Sequence, residues 1–257
     1  LWESLIGGAA DAAKAFSVSA WVYPASSGGG TYGRIIEFGN SDRVILFNSN
    51  KVRFKIDGSS DDGRVDSSAG SLPLNAWTHV VCTYAGGDPE GSDTENYMKV
   101  YINGVEDTNV TDELDGPAAI ATYDPIIGNK PNSLDRQWDG NIDEVGVWSK
   151  ALSQAEITAI FNRGVPPDLL GLASGRDLIS WWPMGDNDTA KFNSTDEPSA
   201  NNKVVDRVGG HNGYCASGVM SGSQVTDYSS VNNSVTVQFY VNGELKNTSQ
   251  ISRGNIT

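Results

Sequence analysis

The stretch Trp138–Asn162, WDGNIDEVGVWSKALSQAEITAIFN, constrains this chain more than any other. It reads as a turn, a strand and a short helix in succession. Asp139-Gly140 is a tight-turn signal. Ile142–Trp148 carries Ile, Val, Val and Trp, residues that suit a pleated, half-buried surface. Ser153 and Glu156 then have capping-box spacing, and Leu152 and Ile157 are placed as a hydrophobic staple across the helix start. Ile157, Ile160 and Phe161 fall on one helical stripe. Gly164 suits a left-handed helix end. A strand thus delivers the chain to a sheet, and a short helix returns its apolar stripe onto that sheet.

Elsewhere the pattern is one of strands and turns. Phe16–Tyr23 alternates, with Phe16, Val18, Ala20 and Val22 on one face and Ser17, Ser19, Trp21 and Tyr23 on the other. Arg34–Phe38 and Val44–Asn48 read as short strands. In Lys51–Ile56, Val52, Phe54 and Ile56 point inward and Lys51, Arg53 and Lys55 outward. Asn48–Asn50 turns the last two into a hairpin, and Asn103-Gly104 is the strongest short hairpin signal. Trp77–Tyr84, Met98–Ile102 and Tyr123–Gly128 read as further strands. The acidic stretches Gly58–Gly70, Ala85–Glu95 and Thr111–Pro117 read as loops. Strands at this spacing, without alternating helices, predict an antiparallel sandwich.

Three stretches taken together resemble laminin G-like modules of the concanavalin A-like lectin/glucanase superfamily. They are the run D-G-x-I-D-E-V-x-V-W-x-x-A-L-S-x-x-E-I, Phe16–Pro24, and Trp77–Gly104, and they span Phe16 to about Asn162. The expected fold is an all-β, antiparallel jelly-roll β-sandwich with one short helix, plus a small C-terminal β unit. Residues 1–15 read as an N-terminal arm, 16–162 as the sandwich and 163–177 as a linker. Residues 178–257 form a β segment. Leu178–Val219 resembles the opening of such a module, here placed after its closing helix, so the order is either permuted or a second module is incomplete. Ser234–Asn242 with Asn242-Gly243 reads as a last hairpin. The apolar residues of Leu178–Met184 call for a neighbouring surface, and the candidate is the sandwich edge beside Ile142–Trp148.

Function classes narrow by exclusion. A net charge of −14 repels phosphate backbones, so nucleic acid is not an expected partner. No run approaches the roughly 20 apolar residues of a membrane span. Two cysteines, Cys82 and Cys215, are too few for a disulfide framework, and Cys82 reads as a small core hydrophobe. Of the histidines, His79 lies inside a strand and His211 in a turn, with no nucleophile motif beside either. Glycoside cleavage needs two flanking carboxylates. The E-x-D-x-x-E strand motif of the superfamily's glucanases is missing. An enzyme is therefore not expected.

The remaining candidates come with the resemblance. In calcium-binding relatives the Asp of I-D-E-V is similar to a ligand, which makes Asp143 the candidate metal residue and Ca2+ the candidate cofactor. Under strict alternation it shares a face with Val145 and Val147. Lectin modules stack aromatic rings on sugars, which nominates Trp21, Tyr23, Tyr32 and Trp138 as glycan-binding residues. The D-L-x-x-L…W-W-x-M-G-D tail resembles phage structural proteins. The function expected is a non-catalytic virion structural protein, a capsid decoration or fibre component, with host-surface glycans as candidate ligand. Its partners would be other virion proteins or itself as a homo-oligomer, and its location the virion. The alternative is a secreted or cell-surface carbohydrate-binding or adhesion module.

Overall fold

The structure is a computed structural model that describes residues 14–39, 43–57, 62–86, 97–112, 125–130, 135–184, 203–214, 234–241 and 244–252. Its strands, in chain order, are β1 (Phe16–Pro24), β2 (Arg34–Phe38), β3 (Arg43–Phe47), β4 (Val52–Ile56), β5 (Gly63–Asp66), β6 (Thr78–Tyr84), β7 (Met98–Ile102), β8 (Val105–Glu106), β9 (Asn109–Asp112), β10 (Ile126–Ile127) and β11 (Gly140–Trp148). Helix α1 (Gln154–Phe161) follows, then β12 (Leu178–Trp182), β13 (Lys203–Val204), β14 (Gly213–Tyr214), β15 (Ser234–Val241) and β16 (Glu244–Ser252). Two six-stranded sheets, β12-β11-β1-β6-β7-β8 and β10-β2-β3-β4-β5-β9, are antiparallel throughout; β13-β14 and β15-β16 are separate ribbons.

The alternation read in β1 sets the layers. Phe16, Val18, Ala20 and Val22 are buried in the core between the sheets, with Val52, Phe54 and Ile56 of β4 among the side chains on the opposite wall. Cys82 is a free thiol in the same core, and burial pushes its pKa up, which keeps it inert. Cys215 lies outside the described residues. The hairpin signals hold: Ser49 and Asn50 take φ 53° and 61° between β3 and β4, and Asn103 and Gly104 take φ 50° and 80° between β7 and β8. β15 and β16 pair with Val241 opposite Glu244, on either side of Asn242-Gly243.

Two local expectations are corrected. Part of the expected loop Gly58–Gly70 is strand β5, because Val65 is fully buried and Asp66 pairs across to Arg53. Part of the expected loop Thr111–Pro117 belongs to β9, which extends the sheet beyond β5. Within the expected strand Tyr123–Gly128, Ile126–Ile127 pair with β2, and Tyr123 and Asp124 lie outside the described residues.

On its outer face the first sheet carries a second apolar layer, in which Val81, Tyr101 and Trp148 meet Leu152, Ile157 and Ile160 from α1 and the turn before it. The helix starts as its sequence dictates: the Ser153 hydroxyl accepts the Glu156 amide and the Glu156 carboxylate accepts the Ser153 amide at 2.9 Å. Such a cap contributes about 1 kcal/mol. The helix ends earlier than Gly164, at Asn162, where left-handed backbone begins (φ 43°). Residues 163–177, expected as a linker, form short 3-10 turns that bury Leu169 in the same layer.

β12 then pairs antiparallel with β11, with Val145 opposite Trp182 and Gly146 opposite Trp181. Leu178 enters the helix-side layer, while Ile179, Trp182 and Met184 enter the inter-sheet core. The tail's apolar cluster is therefore covered by the sandwich edge beside β11.

Candidate glycan-binding face

With one sheet covered by α1, the outer face of β2–β5 and β9 is the other broad face of the sandwich, and its centre is buried: Glu37, Val44, Leu46 and Asp66 are each at most 5% exposed. Register places its side chains in two rows across the strands. Arg34 stands opposite Leu46, Leu46 opposite Arg53, and Arg53 opposite Asp66. The second row runs Glu37, Val44, Lys55, Arg64, Asp112. Charges along both rows are paired. Arg53 donates to Asp66 through Nε at 2.7 Å and Nη2 at 2.9 Å, and Lys51 Nζ donates to the same carboxylate at 3.1 Å. Arg34 Nε meets Glu37 Oε2 at 2.6 Å, and Arg64 Nη2 meets Asp112 Oδ2 at 2.8 Å. Lys55 lies between Asp57 and Asp62.

Asp66 is 2% exposed. Burial pulls its pKa up, but the hydrogen bonds from Arg53 and Lys51 outweigh that and hold it below the usual carboxylate range. Arg53 is held above its ordinary value by the hydrogen bond to Asp66 against the pull of burial. Both partners stay charged. Both oxygens of the Asp66 carboxylate are engaged, one by Arg53 Nε and the other by Arg53 Nη2 and Lys51 Nζ, so the fork braces the face.

Tyr32 stands at the end of this face, 40% exposed. Its loop is clamped to the segment before β11: Gly29 N donates to Gln137 O at 2.9 Å and Arg34 N to Arg136 O at 3.0 Å. The clamp needs glycine, since a Cβ at Gly29 would lie 2.4 Å from Gln137 Oε1 and 2.5 Å from Asp135 O.

The other nominated aromatics lie elsewhere. Trp21 is a correction: it is 4% exposed, with ring centroids 5.1 Å from His79 and 5.9 Å from Phe161, so α1 covers the face a sugar would need. Tyr23 is half-buried against Trp77. Trp138 is half-buried, its ring edge-on to Phe47 and its Nε1 donating to Asn141 O at 3.2 Å. Of the four, Tyr32 is the one classed as exposed.

Asp143 is also corrected in its orientation. Trp21 stands opposite Asp143 and Ser19 opposite Gly146, so β11 has one residue too many between them. Glu144 absorbs it as a β-bulge with φ 51°. Ile142, Val145 and Val147 all stay in the inter-sheet core, and Asp143 turns to the face of Trp21 instead. It is buried, and its Oδ1 accepts the Glu144 amide at 2.8 Å. Among the described residues no three His, Cys, Asp or Glu side chains gather to hold a metal.

Two constellations bear on catalysis. His79 is fully buried, its Nε2 is 2.9 Å from Ser19 Oγ, and burial lowers its pKa to about 3. It is a neutral structural imidazole. Ser180, His211 and Asp206 also meet, but Ser180 Oγ at 2.7 Å and Asp206 Oδ2 at 3.2 Å both approach His211 Nδ1. A nucleophilic relay needs them on opposite ring nitrogens, and Ser180 is fully buried.

Comparison with known proteins agrees with this architecture. A search of curated proteins finds no match. Among solved structures, a Bacteroides ovatus protein described as carbohydrate-binding superposes with TM-score 0.55 at 17% identity, covering 79% of this chain and 52% of that one. The chain thus spans about half the length of that protein. The ligand binding domain of botulinum neurotoxin serotype D, solved with N-acetylneuraminic acid, gives TM-score 0.42 at 19% identity over 59% of this chain and 37% of that one. The heptameric SAP-like pentraxin of Limulus polyphemus gives 0.41 at 15% over 58% and 70%. A laminin G-type family model matches residues 5–158, more than half of the chain. The chain belongs to the concanavalin A-like lectin/glucanases superfamily.

Proposed function

We propose that this chain is a non-catalytic carbohydrate-binding module whose ligand sits at the Tyr32 end of the outer face of β2–β5. The observation that carries the reading is Tyr32, an exposed aromatic whose carbonyl accepts Arg34 Nη1 at 3.3 Å, just before β2. Sugars present an apolar C–H face to an aromatic ring, and Tyr32 offers such a ring here. The description of the Bacteroides ovatus protein as carbohydrate-binding supports it. The test is a glycan array followed by titration with the best ligand. Tyr32→Ala should weaken binding about tenfold, ~1.4 kcal/mol, with unchanged thermal stability. Equal affinity of the variant removes Tyr32 from the site.

The virion setting adds a context to the same binding role: a decoration or fibre component that presents this face to host-surface glycans. Co-purification with a particle tests it, and a secreted or surface-anchored module is the other outcome. Among the described residues no helix is long and apolar enough to cross a membrane. Calcium at Asp143 is tested separately. If the ion binds there, calcium should raise the melting temperature by several degrees over chelator, because a ligand of the folded state adds RT ln(1 + [L]/Kd). Identical melts in calcium and chelator remove it.

A further inference from the structure

The loop that carries Tyr32 is shaped around a guanidinium. A Cβ built on Gly30 would lie 1.7 Å from Arg136 Nη1 and 2.7 Å from its Cζ. The end of the Arg136 side chain therefore fills the place that a side chain at residue 30 would take. Gly30 itself has left-handed backbone, φ 58°, and its missing side chain leaves the room. Two residues of chain span at most about 7 Å, so the cation at Gly30 and the exposed Tyr32 are a distance apart that a disaccharide covers.

Arg136 is available for a ligand. Its side chain is 32% exposed, and among the described residues its carboxylate partner is Asp135, at 3.8 Å. That is too long for a hydrogen bond, and a pair this exposed is held weakly. Arg34, by contrast, is committed: it is buried, with Nε on Glu37 at 2.6 Å and Nη1 on the Tyr32 carbonyl at 3.3 Å. A second cation is rooted beside Arg136. Asn129 is buried, and its Oδ1 accepts the Lys130 amide at 2.8 Å and the Arg136 amide at 3.2 Å. One buried oxygen thus draws the backbones of two cationic residues together, in a chain whose net charge is −14.

We infer that the ligand of this site is an acidic glycan, a sugar bearing a carboxylate or a sulfate, and that Arg136 selects it. The inference rests on the reading of Tyr32 as the sugar-stacking ring. A guanidinium fork meets an oxyanion with two parallel hydrogen bonds, a match that a neutral hydroxyl lacks. The net negative charge does not forbid this, because at physiological salt charges more than about 8 Å apart are largely screened. The groups at the site then decide, and Arg136 and Lys130 stand there against Asp135.

An array that prints acidic glycans beside neutral counterparts of the same backbone tests this. Galacturonic acid oligomers are paired with their methyl esters, and sulfated galactans with the same galactans desulfated, so the preferred pair tells carboxylate from sulfate. Titration of that pair at physiological salt should show the acidic member binding about tenfold tighter. Arg136→Gln should bring the acidic member to the affinity of the neutral one, with neutral binding and melting temperature unchanged. Gly30→Asn, which left-handed backbone tolerates, should push the guanidinium aside and do the same. Tyr32→Ala should weaken both members together. Neutral-sugar binding that Tyr32→Ala weakens, with no acidic preference in the wild type, overturns the acidic ligand and leaves the carbohydrate reading standing. An acidic preference that survives Arg136→Gln overturns the role of Arg136. No binding to any printed glycan overturns both readings.

Discussion

Truncation after Gly164 is expected to yield a chain that has lost its cooperative unfolding transition and precipitates where the full chain stays dispersed. The cause is the position of β12. Ile179, Trp182 and Met184 are part of the inter-sheet core, and Leu178 part of the helix-side layer. Burying each such side chain is worth about 1.5–3 kcal/mol. Four of them together reach roughly the 5–15 kcal/mol by which whole domains are stable. Removal also bares the edge of β11, a nine-residue strand with Val145 and Val147 at its centre. Thermal melts with light scattering decide the matter. A truncated chain that melts at the full chain's temperature, without scattering, would mean that β12 contributes no packing. The family-model match ends at residue 158, so the stable unit is expected to extend past the matched residues into the segment that resembles a module's opening.

The sandwich was legible because its long strands alternate. β1 and β4 each set hydrophobic residues two apart, and the structure buries those faces. Short strands gave no such signal. In β5 only Val65 is apolar, and Asp66 looks like a loop residue until Arg53 and Lys51 are placed across from it. That partnership, which braces the candidate face, joins residues on different strands and has no local signature. Asp143 misled for another reason: one extra residue in β11 flips every face that strict alternation assigns before it. Trp21 was readable in part. The stripe of Ile157, Ile160 and Phe161 needed a surface to cover, and the face of β1 opposite Phe16 was available. Asn129 was hidden because its partners are backbone amides, which every sequence has.

Gly140→Ala is expected to cost about 3 kcal/mol, mostly from a steric conflict rather than from backbone strain. Gly140 has φ 135°, and a Cβ there would lie 1.9 Å from Tyr23 O and 2.9 Å from Ala25 N. Both obstacles are backbone, so no rotamer change relieves them. The conflict falls where Pro24 pairs with Gly140 and Ala25 N donates to Asp139 O at 2.7 Å, so the β1–β11 ladder must part at that end. The neighbouring segment 135–137 clamps the loop that carries Tyr32, and parting the ladder should loosen it as well. Gly164→Ala supplies the comparison. Its φ is 92°, but nothing lies within 4 Å of the added Cβ, so strain alone should cost about 1 kcal/mol. Urea denaturation of the two variants separates the contributions. A larger loss at Gly140, with weaker glycan binding, ties the turn before β11 to the ligand face; equal losses would show that the close approach of β1 carries no cost.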